Sequence, residues 1–211
     1  MKLKSFTKAF AAPLSFATLM ALSTGTQAAL MDVTVTIENL APTNSVSFAP
    51  LRLGFHNGTF DAFDAGSAAS DAIISIAEGG SGTKWFADFE AAEPNAVLGS
   101  VVNGGPSIPS ANAGVGNGFS ATASNTFRVD TSDNAFFSFA NMVVPSNDLF
   151  LGNDNPLRLF DNLGSLLFSE IRLTASDIWD ANSEVADASA GAFILWRCEW
   201  QQNSRKWISC V

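Results

Sequence analysis

The chain runs to 211 residues with a formal net charge of −9, long enough for one domain with a core of its own. Between residues 29 and 193 five basic residues stand against nineteen carboxylates, a net of −14 that repels phosphate backbones and excludes nucleic acid as a partner. That stretch has no cysteine, which excludes a disulfide-stapled mini-domain.

The first element is an export signal. Lys2, Lys4 and Lys8 precede an apolar run from Ala9 to Leu22, and Thr26-Gln27-Ala28 supplies small residues for cleavage after Ala28. The run is too short to span a membrane, so residues 1–28 are expected to be removed and the protein to be secreted, periplasmic or extracellular. Asp32 to Glu38 alternates polar and apolar residues, which predicts a half-buried strand with Val33, Val35 and Ile37 inward. Asn39 to Ser45 reads as a turn. Ser47 to Gly54 reads as a strand that Pro50 assigns to an edge or a bulge. Phe55 to Ser70 is loop-like, and Asp71 to Glu78 has the spacing of one short helix. Asn95 to Phe119, with six glycines and two prolines, reads as a long loop.

Strands are predicted again at 121–129 and 134–144, the latter placing Phe136, Phe137, Phe139, Met142 and Val144 in the core. Shorter strands are predicted at 149–151, 157–160 and 165–173, separated by Asn, Asp and Gly. Short strands with regular turn signals predict a β-sandwich. A tail from residue 195 to 211 departs abruptly in composition. It holds three of the five tryptophans and both cysteines, and a shifted reading frame or an exchanged terminus would leave such a pattern. Closing a loop between Cys198 and Cys210 would contribute about 3 kcal/mol. The domain is therefore expected to span residues 29–194.

Carboxylates concentrate in two loops, one ending at Asp148 and the other running from Ser176 to Asp187. Strand ends of a sandwich cluster at two poles, so these loops are able to meet. Hard divalent cations take six to eight oxygens, and Asp148, Asp180 and Glu184 are candidate donors, with Asp177, Asn182 and Asp187 in reserve. An EF-hand is excluded: Val185 stands where its glycine belongs and Gly191 where its last Glu belongs.

The chain resembles the spondin domain, the N-terminal module of F-spondin and mindin, which also occurs in bacterial secreted proteins. The resemblance runs from about Val33 to Phe193. It is carried by Phe55-His56-Asn57-Gly58-Thr59-Phe60-Asp61-Ala62-Phe63-Asp64-Ala65-Gly66, by Met142-Val143-Val144-Pro145-Ser146-Asn147-Asp148-Leu149-Phe150-Leu151-Gly152, by Leu159-Phe160-Asp161, and by Ile178-Trp179-Asp180-Ala181-Asn182-Ser183-Glu184. It implies a C2-like antiparallel β-sandwich, here with one short helix and long Gly-rich loops, and calcium held in loops at one end. The carboxylates of those loops match Asp148, Asp180 and Glu184. Asn182 stands where the animal pattern has Gly, and Glu184 where it has Asp; both still offer oxygen.

Other residues are weighed as structural. His56, the only histidine, is expected to hydrogen-bond within its loop; Asp88, Glu90 and Glu93 are expected on a solvated face; Phe55, Phe60 and Phe63 are expected to pin their loop to the core. The sequence thus predicts a secreted, non-catalytic calcium-binding adhesion or interaction module, monomeric, without a membrane span or nucleic acid, taking a protein or glycan surface partner. Two rivals from other classes are a secreted hydrolase using the carboxylate-rich loops and a metal-free structural envelope protein.

Overall fold

The computed structural model describes residues 30–42, 45–105, 107–109 and 120–185. The predicted export signal and the tail with its two cysteines lie outside the described residues.

The alternation in the first strand has its predicted effect. β1 (Leu30–Glu38) pairs antiparallel along its whole length with β5 (Thr122–Asp130), from Leu30 opposite Asp130 to Glu38 opposite Thr122. Val33, Val35 and Ile37 turn inward against the core. The outward face carries cross-strand polar pairs, including Thr34 with Thr126 and Thr36 with Ser124, each at 2.8 Å between hydroxyl oxygens.

The second sheet is antiparallel in the order β4 (Val97–Val101), β3 (Leu51–His56), β6 (Phe136–Val144), β7 (Leu149–Gly152), β9 (Ile178–Asp180), with β2 (Ser47–Phe48) and β8 (Leu157–Arg158) also paired to β6. Pro50 interrupts the predicted 47–54 strand and separates β2 from β3, because it has no N–H to give to the ladder. One face of this sheet packs on the β1–β5 ribbon. Leu51, Leu53 and Phe55 of β3 meet Phe127 and Val129 of β5 and Phe137 and Phe139 of β6 there. The opposite face of the sheet is covered by helices, so the sandwich carries a third layer.

The helices are α1 (Asp71–Gly79) and α2 (Thr83–Ala92). The Ser70 side chain accepts from the Ile73 N–H at the start of α1, and Gly80, at φ 64°, ends it. The second helix corrects the expectation of one. It has no side-chain cap and begins after Gly82, so its start carries no local signal. It forms because Trp85 and Phe89, one turn apart, are driven into the core beside Phe60.

Three further expectations change. The 95–119 loop contains β4, held against β3, with the Phe127 ring lying over Gly99 where a Cβ has no room. Residues 165–173 form no ladder among the described residues. The turn at Asp161–Gly164 directs them off the sheet, leaving one bridge from Leu166 to Phe160 and a bond from the Leu167 N–H to the Leu159 carbonyl. Phe137, Phe139 and Met142 are buried as predicted, but Phe136 and Val144 end β6 half-buried.

Candidate functional site

The predicted metal loops meet at one end of β6. Ser146 shapes the first: its hydroxyl donates to the Val143 carbonyl at 2.6 Å and accepts from the Leu149 N–H at 3.2 Å. This corner turns Asp148 inward, 3 % exposed. The second loop arrives because residues 178–180, expected in a loop, form β9 on the edge of β7, with Asp180 opposite Leu149. The Trp179 indole N–H donates to the Gly152 carbonyl at 3.0 Å, and its ring meets Phe63 edge-on at 5.3 Å. Phe63 thereby ties the loop after β3 to the same edge.

Asp148 then becomes the post around which the second loop closes. Its carbonyl accepts from the Ala181 N–H at 3.1 Å. Its Oδ2 accepts from the Ser183 N–H at 2.8 Å, the Glu184 N–H at 3.0 Å and the Ser183 hydroxyl at 3.2 Å. Asn147 donates to the Val185 carbonyl at 3.0 Å. Asn182 sits at φ 51°, in the left-handed region, where its N–H reaches Asp180 Oδ1 at 2.7 Å. Asn, like glycine, tolerates positive φ and so suits this position.

The Asp180 and Glu184 side chains are exposed beside this post. Among the described residues no three acidic, His or Cys side chains are gathered closely enough to hold a metal ion. The donor set is all oxygen, the type a hard cation takes, so the chemistry of the residues fits calcium. The loops converge, but the exposed carboxylates are not drawn together around Asp148.

A second constellation lies at the far end of β3. His56 is fully buried, with Nδ1 3.0 Å from Glu93 Oε1 and Nε2 3.1 Å from the Ser138 hydroxyl. The acid is neither Asp61 nor Asp64, the two nearby in sequence. Glu93 is also a correction to the solvated-face expectation: Asp88 and Glu90 are exposed, but Glu93 is 4 % exposed. It accepts from the Asn57, Thr59 and Phe60 N–H groups and the Thr59 hydroxyl as well as facing His56. Burial pushes its carboxyl up, but those hydrogen bonds outweigh burial and hold it below the usual glutamate value. Burial lowers His56 against the opposing pull of Glu93, so the imidazole is neutral near pH 7. An ionised Glu93 then requires the proton on Nδ1. The Gly58 N–H, 3.2 Å from Nδ1, faces no lone pair there in this tautomer.

The profile of the family Spondin_N matches residues 39–162, more than half of the chain. The chain belongs to the spondin N-terminal domain family. The match takes in the spondin stretches 55–66, 142–152 and 159–161, and with them Asp148; it stops before Trp179, Asp180 and Glu184. No curated protein matches the chain. The antiparallel sheets bear out the all-β fold that the spondin resemblance implied, with the second helix as the departure. Among the described residues of this spondin domain no helix is long and apolar enough to cross a membrane.

Proposed function

We propose that the chain is an exported, non-catalytic interaction module whose Asp148, Asp180 and Glu184 hold a calcium ion and so rigidify one pole of the sandwich. Membership of the spondin family supports the interaction role, and the predicted signal at residues 1–28 supports export. The observation that carries the metal reading is the Asp148 carboxylate bonded to the backbone of Ser183 and Glu184. Two segments more than thirty residues apart in sequence, both acidic, are thereby joined at one point. Calcium would screen their carboxylates and draw the exposed Asp180 and Glu184 side chains toward Asp148.

The thermal midpoint is expected to rise with calcium and fall with chelator. Extracellular modules bind calcium with dissociation constants of roughly 0.1–1 mM, and a tenfold excess stabilises by about 1.4 kcal/mol. Potassium chloride at equal ionic strength separates general screening from binding. Asp180→Asn and Glu184→Gln, at exposed positions, should abolish the calcium shift and leave the midpoint in chelator unchanged. No shift at millimolar calcium would sink the metal reading and favour a metal-free structural protein.

A serine-hydrolase reading, distinct from the one built on the carboxylate-rich loops, meets a physical obstacle. Ser138, His56 and Glu93 have the order of a nucleophile, base and orienting acid, but Ser138 is 1 % exposed and His56 0 %. A substrate carbonyl has no route to that hydroxyl in this conformation, and the trio serves to join β3, β6 and the end of α2.

A further inference from the structure

We propose that the recess at the other end of β6 from Asp148 receives a cationic side chain, an arginine guanidinium in first place, presented by a protein partner. The recess is a cavity of about 310 Å³, against about 40 Å³ for the small cavity beside Phe63 and Asp180. Three segments build it: Asn57 after β3, Glu93 and Asn95 between α2 and β4, and Ser132, Asp133 and Asn134 in the β5–β6 turn. Its walls are tied to one another. The Asn134 side chain donates to the Asn95 carbonyl at 3.0 Å, the Asn57 N–H to Glu93 Oε2 at 2.7 Å, and the Asn134 N–H to the Asp130 carbonyl at 2.8 Å. Among the described residues the recess therefore stands open without rearrangement, which lowers the cost of filling it.

Its chemistry selects the occupant. The Asp133 carboxylate, three carboxamides and the Ser132 hydroxyl line it together with Ala92 and Pro94, the Glu93 carboxylate lies buried behind them, and among the described residues the lining has no cationic side chain and no aromatic ring. Anions are repelled, and a sugar finds no ring to stack on. A cation finds the buried charge of Glu93 behind the wall and the exposed carboxylate of Asp133 in front of it. Among the described residues neither the Asp133 carboxylate nor the Asn95 side chain has a protein hydrogen-bond partner. A guanidinium offers five donors in a plane and loses its hydration more readily than an ammonium, which suits a recess of mixed carboxylate and carboxamide oxygens. The −14 body steers cations toward it. This inference rests on reading the chain as an interaction module and is independent of calcium.

The test is titration of the isotope-labelled chain, followed by amide NMR, with N-acetyl-arginine methylamide, its lysine counterpart and its citrulline counterpart. The arginine probe should produce saturable shifts confined to Asn57, Asn95 and residues 132–134, weakened by salt. The lysine probe should bind less tightly, and the uncharged citrulline probe at least about tenfold less tightly than arginine. Asp133→Asn, at an exposed position, should weaken the arginine probe at least about threefold with an unchanged thermal midpoint. Equal binding of citrulline, indifference to Asp133→Asn, or shifts that fail to saturate or fall on the Asp148 loops would overturn the assignment. A chain that binds arginine but ignores calcium would lose only the metal reading. One that answers to calcium but not to arginine would lose only the recess.

Discussion

One carboxylate carries an unusual share of the local structure. Glu93 gathers three N–H groups and a hydroxyl from residues 57–60 and orients His56. Glu93→Ala leaves those buried or half-buried donors unmet, and chemical denaturation should register a loss of about 3 kcal/mol. Ser138→Ala removes two neutral hydrogen bonds, one shared with His56 and one accepted from the Asn153 side chain, and should cost about 1–2 kcal/mol. The pH response follows from the same pair. His56 and Glu93 both titrate below their ordinary values in the folded chain, so the unfolded chain binds more protons on acidification. Their contribution is complete above about pH 6.5 and is lost as pH falls, first toward the lowered His56 value and then through that of Glu93. Acid unfolding followed by fluorescence should show stability declining below about pH 6.5, and His56→Gln should flatten the upper part of that decline. A decline that begins only near pH 4 in the parent chain would contradict the assignment of His56.

Between elements, contact distances decide what the sequence pattern leaves open. α2 rests on β3 at Gly54, where a Cβ would stand 2.6 Å from Phe89 Cζ and 2.8 Å from Leu98 Cδ2. Gly54→Ala should therefore destabilise by about 1–3 kcal/mol in denaturant titration, although the backbone itself accepts alanine. The end of α1 is held from the sheet: Arg52 donates to the Gly80 carbonyl at 2.7 Å and to the Ser100 hydroxyl at 2.9 Å. A cation there also meets the negative end of the helix. These contacts show why α2 and β4 escaped a reading by periodicity. Their amphipathic patterns are short, α2 has no side-chain cap, and each is fixed by contact with an element distant in sequence: α2 lays its Phe89 ring over Gly54 of β3, and β4 takes the Phe127 ring of β5 over Gly99. Trp85 and Phe89, spaced four apart, were the one local sign of α2. The strand pattern at 165–173 misled for the opposite reason. Apolar residues there supply β propensity, but Leu163, Leu166, Leu167, Ile171 and Leu173 stay exposed, because the turn at Gly164 takes the chain off the sheet.

Across the whole molecule, β6 separates two acidic ends. One joins the Asp148 corner to the loop after β9; the other opens as the recess around Glu93 and Asp133. The layers between them are apolar, with the ribbon β1–β5 on one face and two helices on the other. The negative charge from residues 29–193 is thus dispersed around a core that does not depend on it.

The sequence by itself determined the all-β class, the inward set of β1, the first helix and the family, since alternation and capping act over a few residues and survive in any packing. It also singled out Asp148, Asp180 and Glu184 as candidate oxygens. Only the tertiary structure decided that Glu93 is buried against His56 and that residues 178–180 extend the sheet and bring Ser183 and Glu184 to Asp148. It alone made a recess from three short polar segments. Each of these depends on surfaces contributed from far along the chain, and burial and long-range hydrogen bonding have no local signature for a sequence pattern to record.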